Sequence, residues 1–294
     1  MGQVLVIGVV NGTIYALFAV GVALVYRGAR TINFAQGEMA TVSLFAAWWF
    51  VADRGLPWII GALVALVVAG GLGVGFQWLV VRHLARADRV MVAVATIGLL
   101  SVILALEYQL FSASPRSLRG PIEGLGIKLF GIYVSPTQSL SIGVVVLVGL
   151  GLGVLLRRTD FGLGVLAAAQ DSDGARLMGV PVRRVSLFVW GTGAAVAALA
   201  ALLVVPTIGT FTPGFATELF VKGIVAAVIG GLASPNGAIA GGYALGLTES
   251  AARRLFASAT VPGFELIVLF AIVLAALLFR PTGLVATART RGAA

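Results

Sequence analysis

The chain has 294 residues, of which 60% are hydrophobic and only 11% are charged, and its mean hydropathy is +1.06. Soluble domains carry about 25% charged residues, so this composition argues against a soluble enzyme and indicates an integral membrane protein. The chain has no cysteine, which excludes a disulfide framework and a thiolate metal site. Its net charge of +9 fits Lys and Arg collected in cytoplasmic loops rather than a nucleic-acid-binding surface.

Apolar runs long enough to cross a bilayer recur along the chain. A transmembrane helix needs about 20 consecutive apolar residues, and such runs occur at 4–26, 34–52, 57–81, 90–111, 139–156, 185–207 and 263–279. A further pair of runs, 219–233 and 237–250, is short and rich in glycine. We therefore predict an all-α fold, a polytopic membrane helical bundle of about eight spans that forms a single transmembrane domain over residues 1–294.

The basic residues predict the orientation of these spans. Of the 20 Lys and Arg residues, 13 lie in four segments, which are 27–33, 82–89, 157–184 and the tail from Arg280. Cytoplasmic loops collect Lys and Arg, so we expect these four segments in the cytoplasm. The N-terminus then lies outside and the C-terminus lies in the cytoplasm. Arg253 falls on the outer side, where Glu249, four residues before it, is placed to pair with it.

A polar segment, TINFAQGEMATVSLF, opens the second apolar run. Asn33, Gln36 and Glu38 lie at its head, and polar side chains inside a span usually face the bundle interior or a transport path. We therefore treat all three as candidate residues of a translocation pathway. For Glu38 we also expect a structural role, as a first-turn carboxylate that offsets the helix dipole. On that interpretation it contacts backbone N–H groups, Arg27 or Arg30.

A polar island of 28 residues, 157–184, separates two apolar spans. Inside it, Asp171, Ala175 and Gly179 fall four residues apart and so share one face of a predicted short helix. Pro181 ends that helix. A helix of small residues on the Arg-rich side suits docking to a cytoplasmic partner better than chemistry on a substrate. The predicted docking residues are Ala167, Ala168, Asp171, Ala175, Arg176 and Gly179.

The glycine-rich pair at 219–250 has a cluster of turn-forming residues at its centre. Gly230, Gly231, Ser234 and Gly237 end one half-helix and start another. Broken helices at membrane depth are tolerated where they are buried in protein or line a wet cavity, and they often mark a transport path. We therefore predict that these four residues border the translocation pathway, near a broken or re-entrant helix pair. A tight turn between two short full spans is an equally good interpretation.

Glycines also recur at GxxxG spacing, which lets helix backbones approach closely in lipid. The pairs are Gly8/Gly12, Gly71/Gly75, Gly149/Gly153, Gly237/Gly241 and Gly242/Gly246. We interpret them as packing positions rather than functional positions, so each pair predicts a close helix crossing.

The sequence contains no constellation of acid, base and nucleophile, and no GxxxxGK[ST] phosphate-binding loop. We therefore predict no catalytic residue, metal site or cofactor, and we expect a transporter rather than an enzyme. One alternative is a secondary transporter that an ion gradient drives through Glu38, Glu107 or Glu249. Another is a membrane scaffold that transports nothing. A requirement for ATP and a cognate ATPase in uptake assays would separate the three.

Five motifs occur in the order found in one known family. They are NGTIYAL at 11–17, INFAQGE at 32–38, the AQD…A…GV loop at 169–180, AAVIGGLASPNGAIAGG at 226–242 and RPTGL at 280–284. On these motifs, the chain resembles the inner-membrane permease of branched-chain amino acid ABC importers, specifically the first of two paralogous permeases. Relatives in that family carry urea, short amides and aromatic acids. One departure is Gln36, which stands where the family pattern INFAHGE has histidine.

The resemblance implies a function and a set of partners. It implies a membrane-spanning permease of an ATP-driven importer in the bacterial inner membrane, forming half of the pathway for branched-chain amino acids or similar small polar solutes. It implies three kinds of partner: a second paralogous permease in a heterodimer, two cytoplasmic ATPase subunits that hydrolyse ATP, and a periplasmic substrate-binding protein. It also implies that 164–179 is a coupling helix seated in a cleft of the ATPase.

Overall fold

The computed structural model describes residues 2–84, 88–122, 124, 126–129 and 131–255, together with positions 267, 270, 271, 274 and 278. Within these ranges the helices are α1 (Gly2–Ala29), α2 (Gln36–Trp48), α3 (Trp58–Phe76), α4 (Arg89–Phe111), α5 (Pro136–Arg158), α6 (Asp160–Gln170), α7 (Ser172–Leu177), α8 (Val182–Ile208), α9 (Phe215–Gly230) and α10 (Pro235–Leu255). Two π-helical turns, Trp49–Asp53 and Gln77–Val81, continue α2 and α3. Two short strands, β1 (Ile127–Leu129) and β2 (Ile132–Val134), form an antiparallel hairpin. The predicted all-α membrane fold is confirmed.

Five of the predicted spans are confirmed. The helices α1, α3, α4, α5 and α8 are each long and apolar enough to cross a membrane. The predicted break is also present, because the axes of α9 and α10 bend by 114° where the two helices meet. The described residues thus hold five such helices, or six spans when the bent pair counts as one, so the predicted number of about eight is not confirmed. The predicted run 263–279 lies almost wholly outside the described residues.

The predicted span at 34–52 is not a full crossing. α2 begins at mid-depth of the bundle, because the Gln36 side chain donates a hydrogen bond to the carbonyl of Gly193, near the middle of α8, at 3.0 Å. It finishes at one end of the bundle, where the Phe45 ring stacks on Phe111, the last residue of α4, at 4.1 Å between centroids. This apolar run therefore begins inside the bundle and does not cross it completely.

The segment 30–35 returns from the end of α1 into the bundle without helical structure. Side-chain oxygens accept hydrogen bonds from two of its backbone N–H groups. The Asn33 side-chain oxygen accepts from the backbone N–H of Ala35 at 3.1 Å, and the N–H of Phe34 donates to the Thr96 hydroxyl at 3.1 Å. Irregular backbone at membrane depth is tolerated where protein surrounds it, and Asn33 is buried. Sequence analysis assigns residues 27–33 to a cytoplasmic loop, and hydropathy alone does not show that part of this loop returns into the bundle.

The helix termini define two ends of the bundle. Gly28 near the end of α1, Val92 near the start of α4, Asp171 between α6 and α7, and Val182 at the start of α8 all line one cavity. We call this the α6–α7 end. The opposite termini of these helices lie at the other end, where Gly131 of the β-hairpin approaches the start of α1. We call this second end the hairpin end.

The bent pair α9–α10 enters and leaves the bundle at the hairpin end. Phe211, just before α9, pairs its backbone with Arg116, in the segment that follows α4, through hydrogen bonds of 2.8 and 2.9 Å. On the other side of the pair, Leu247 of α10 lies against Gly8 near the start of α1. The break between the two helices therefore lies deep in the bundle, beside Gly153 of α5.

Glycines let the backbones of α1 and α10 touch. A Cβ atom added at Gly12 would lie 2.9 Å from the Cα of Tyr243, and one added at Gly242 would lie 2.5 Å from the Cα of Ala16. Gly246 packs against Gly12 in the same way. Real Cβ atoms do not make such short contacts, so only glycine fits at these positions. Close backbone contact therefore fixes the crossing of α1 and α10.

The remaining glycine pairs differ in their surroundings. Gly241 packs against the carbonyl of Ala226 in α9, and Gly149 packs against the side chain of Ile239. By contrast, no neighbouring element among the described residues lies within 4 Å of the Cβ position at Gly71 or Gly75. The predicted packing role is thus confirmed for four pairs, and the described part of the chain shows no such contact for Gly71/Gly75.

We predict that Gly12→Leu lowers the free energy of unfolding by about 1–3 kcal/mol, the usual cost of overpacking, because the new side chain would displace α10. Gly71→Leu is the matched control, since it makes the same change within a helix at a position with no neighbouring atom. Thermal unfolding of the purified protein in detergent measures both variants. Equal unfolding temperatures would contradict the backbone crossing.

Candidate functional site

The seven predicted pathway residues all lie inside this subunit. Every one of them is buried: Asn33, Gln36, Glu38, Gly230, Gly231, Ser234 and Gly237. They form two groups, one at the start of α2 and one at the break between α9 and α10. In the single subunit they therefore shape the interior and do not line an exposed surface.

Glycine and serine form the break between α9 and α10. Gly231 has a φ of +111°, a conformation that residues with a side chain rarely adopt. Gly230 and Gly237 face each other so closely that each packs against the other's carbonyl group. The Ser234 hydroxyl accepts from the N–H of Gly237 at 3.1 Å and satisfies one of the free donors at the start of α10. These residues thus position the two helices of the pair.

Glu38 does not lie beside Arg27 or Arg30, so that expectation is wrong. The Glu38 carboxylate accepts a hydrogen bond from the Thr217 hydroxyl of α9, and it contacts the carboxyl group of Glu107 in α4. The reason is the path of segment 30–35, which carries the start of α2 to mid-depth. Arg30 stays behind at the α6–α7 end, where it lines the cavity.

Glu38 and Glu107 form a carboxyl pair in the interior, and both side chains are buried. Glu107 also accepts from the backbone N–H of Gly214 at 3.0 Å. One oxygen of each carboxyl, Oε2 of Glu38 and Oε1 of Glu107, is buried without a hydrogen-bond partner among the described residues. Two carboxyl groups hydrogen-bond to each other only when one of them holds a proton, and a shared proton would satisfy both oxygens. The pair joins α2, α4 and the start of α9.

A second buried cluster joins α1, α9 and α10. The Glu249 carboxylate accepts from the Tyr15 hydroxyl at 2.6 Å and from Lys222 at 3.1 Å. Arg253, four residues further along α10, also donates to Glu249 at 2.8 Å, so the predicted i,i+4 pair is present. Tyr15 is at the middle of α1 and Glu249 lies nearer the hairpin end, so the cluster extends from mid-depth toward that end. We call Tyr15, Lys222 and Glu249 the mid-depth cluster.

Sequence analysis missed Lys222. It stands alone among apolar residues in the run LFVKGIVAA. An isolated charge inside an apolar run usually pairs with another group or serves function, so this signal was sufficient to single it out. Helical spacing could also have found Glu218, four residues before it, but not Tyr15 and Glu249, which lie 207 and 27 residues away along the chain.

The predicted helix of the 157–184 loop is two helices. Asp171 separates α6 from α7 and is the N-cap residue of α7, where its carboxylate accepts from the backbone N–H of Gly174 at 3.0 Å. The expectation that Asp171, Ala175 and Gly179 share one helical face is therefore wrong. A continuous helix does not form because Asp171 supplies a cap, with extended backbone, in its middle.

Large apolar side chains form the exposed tip of α7. Ala175 is only 5% exposed, because α7 packs against α6 and α8, so it does not lie on an exposed small-residue face as expected. Leu177 and Met178 are 90% and 85% exposed. Gly179, with φ at +83°, then reverses the chain toward α8. Leu177 and Met178 thus form the projecting tip of the loop.

The other predicted docking residues lie around this tip. Ala167 and Ala168 are half-buried on α6. Arg176 is exposed and pairs with Asp173 at 3.0 Å. The cavity at this end has a volume of about 510 Å³, and Arg176 and Arg183 contribute to its lining. The α6–α7 end therefore combines an apolar tip with basic side chains around it.

The fold and these clusters define the class of the protein. It is a multi-pass helical membrane protein, and a broken helix pair inside the bundle is typical of membrane transport proteins. Comparison with known sequences identifies the family within this class. The family described as "Branched-chain amino acid transport system / permease component" matches residues 4–277. The chain belongs to this family of transport permeases.

Curated relatives are similar over almost the whole chain. The "High-affinity branched-chain amino acid transport system permease protein BraD" of Pseudomonas aeruginosa is 30% identical, covering 96% of this chain and 94% of its own length. The corresponding protein LivH of Escherichia coli K12 is 28% identical, with coverage of 94% and 92%. A "Probable branched-chain amino acid transport permease protein LivH" of Methanocaldococcus jannaschii is 28% identical, with coverage of 94% and 90%. No solved structure matches the chain.

We predict that Glu38→Gln changes the free energy of unfolding little, because a carboxamide still accepts from Thr217 and donates to Glu107 without a shared proton. Glu38→Leu is the matched comparison of similar size. It leaves both buried partners unsatisfied, and we expect it to cost about 1–3 kcal/mol. Unfolding of the two purified variants measures the difference, and equal losses of stability would contradict the carboxyl pair.

Proposed function

We propose that this chain is the membrane-spanning permease subunit of an ATP-driven importer for branched-chain amino acids. The observation that carries the proposal is the family match over residues 4–277. Relatives whose names specify branched-chain amino acid transport support the substrate class. The chain forms half of the translocation pathway, and a second, paralogous permease forms the other half in a heterodimer.

Separate subunits supply energy and substrate. The sequence has no GxxxxGK[ST] loop, so we assign ATP hydrolysis to two cytoplasmic ATPase subunits. A periplasmic substrate-binding protein delivers the amino acid to the hairpin end. In this assignment the permease is a transport component and not an enzyme.

The 157–184 loop couples the permease to the ATPase. The projecting tip, Leu177 and Met178, enters a groove on the ATPase, because exposed apolar side chains at this density favour a protein contact. Movement of the ATPase then passes to α5 and α8, which flank the loop. The remaining residues of the coupling site either hold the tip in position or contact the rim of the groove. They are Ala167, Ala168, Asp171, Ala175, Arg176 and Gly179.

The translocation pathway runs between the two permeases, beside α2 and the α9–α10 pair. The two groups of predicted pathway residues are buried and hold these elements in position. The group at α2 is Asn33, Gln36 and Glu38, and the group at the break is Gly230, Gly231, Ser234 and Gly237.

We assign the α6–α7 end to the cytoplasmic side of the bacterial inner membrane. Basic residues support this orientation, because 157–184 alone contains five of the 20 Lys and Arg residues. The hairpin end and the N-terminus then face the periplasm. We assign the C-terminus to the cytoplasm.

Reconstitution tests the proposed function. The permease pair, the ATPase and the loaded binding protein are combined in proteoliposomes, and leucine uptake is measured. Uptake that requires both ATP and the binding protein is the expected result. Uptake driven by an ion gradient without ATP would contradict the proposal.

For the coupling loop, we predict that replacing Leu177 and Met178 together by serine weakens ATPase binding more than about tenfold, since burying one such side chain contributes about 1.5–3 kcal/mol. Leu129→Ser is the control, because Leu129 is also exposed but lies on the β-hairpin at the opposite end. Titration of the ATPase onto the detergent-purified permease pair measures both. Undiminished binding by the double variant would rule out the tip as the docking element.

For orientation, we use the absence of cysteine, which makes single-cysteine variants free of background in this chain. We predict that Ser172→Cys and His83→Cys react with a membrane-impermeant maleimide only from the cytoplasmic side. Ser117→Cys reacts only from the periplasmic side. All three side chains are exposed, so access depends on sidedness. Labelling of Ser172→Cys from the periplasm would reverse the orientation.

A further inference from the structure

One face of α9 carries charged residues toward the outside of the subunit. Glu218, Val221 and Lys222 fall three and four residues apart, so they lie together on the helix surface. The Glu218 side chain is 80% exposed, Val221 is 51% exposed, and the Lys222 side chain is 14% exposed. Glu218 and Lys222 form an ion pair at 3.2 Å. We call these three residues the α9 face.

The α9 face extends from near mid-depth toward the hairpin end. The Lys222 ammonium is 3.3 Å from the hydroxyl of Tyr15, which is at the middle of α1. Glu218 is one helical turn nearer the hairpin end, about 6 Å along α9. A charged side chain near mid-depth costs about 2.5–3.5 kcal/mol or more when it faces lipid. In the assembled transporter this face therefore contacts protein or water.

Lys222 forms two ion pairs of different strength, one with the buried Glu249 and one with the exposed Glu218. Glu249 is only 3% exposed, and Tyr15, Lys222 and Arg253 all donate to it. Breaking a buried pair of this kind is costly, because it leaves an uncompensated charge. The Glu218 carboxylate is mostly exposed, and exposed pairs contribute only about 0–1 kcal/mol. A ligand can therefore open the Glu218–Lys222 pair while Glu249 keeps Lys222 in place.

We propose that the α9 face binds the zwitterionic head group of the amino acid during its passage. The α-carboxylate replaces Glu218 at the Lys222 ammonium, and the α-ammonium pairs with the released Glu218 carboxylate. Both charges of the ligand are matched in this way, and its aliphatic side chain rests against Val221. The inference rests on the proposed function, because it takes an amino acid as the transported solute, and it adds the residues that contact it.

Water access is the first test. In the importer assembled with its partner subunits, Val221→Cys reacts rapidly with a water-soluble methanethiosulfonate reagent, and modification is read on this chain by mass spectrometry. Val67→Cys is the control, since Val67 is 73% exposed on an apolar face of α3. Reaction of Val221→Cys as slowly as Val67→Cys would overturn the inference.

Protection by ligand is the second test. Leucine at about ten times its dissociation constant slows modification of Val221→Cys about tenfold. Isovalerate, which lacks the ammonium, and isopentylamine, which lacks the carboxylate, give no such protection. Adding Glu218→Gln to Val221→Cys removes the protection by leucine. Adding Arg254→Gln, at an exposed position near the end of α10, leaves the protection unchanged.

These outcomes distinguish a failure of the head-group site from a failure of the proposed function. Equal protection by isovalerate and leucine, or protection that survives Glu218→Gln, would overturn the head-group site. Leucine uptake by the wild-type importer is measured in parallel. Uptake without any protection of Val221→Cys would overturn this inference alone, whereas the absence of ATP-dependent uptake would overturn the proposed function.

Discussion

The close contact between the backbones of α1 and α10 fixes the geometry on which the rest of the bundle depends. Helices in a bilayer gain little from burying apolar surface against each other, so small residues and interhelical hydrogen bonds hold them together. Gly12 and Gly242 allow the two backbones to touch. This contact sets the register that brings Glu249 of α10 to Tyr15 of α1. α9 packs against both helices, and Lys222 thereby completes the mid-depth cluster.

Polar groups at depth join elements that apolar packing alone would leave free to slide. The mid-depth cluster ties α9 and α10 to α1, and the Glu38–Glu107 pair ties α2 and α4 to the start of α9. Both clusters involve α9, one at Thr217 and the other at Lys222. α9 is therefore held at two points inside the subunit while its outer face, with Glu218, stays exposed. A firmly held helix with a charged outer face is suited to guide a polar solute between two subunits.

Local features of the sequence predicted much of this fold, and long-range contacts explain the failures. Hydropathy predicted five spans, and the glycine cluster predicted the break at 219–250, because both signals lie within one segment. The start of α2 was not predictable, since only the contact of Gln36 with α8 shows that it lies at mid-depth. Four-residue spacing failed at Asp171, where an N-cap interrupts the helix that the spacing assumed. Two partners of Lys222, Tyr15 and Glu249, were equally inaccessible, because the fold alone brings them together.

A double-mutant cycle between Tyr15 and Glu249 tests the register of α1 and α10 most directly. The free energy of unfolding is measured for wild type, Tyr15→Phe, Glu249→Met and the double variant. The 2.6 Å hydrogen bond between the two side chains is lost in either single variant. We therefore predict a coupling energy of about 0.5–3 kcal/mol between them. Additive losses, with no coupling, would show that the two side chains do not meet and would contradict the helix crossing.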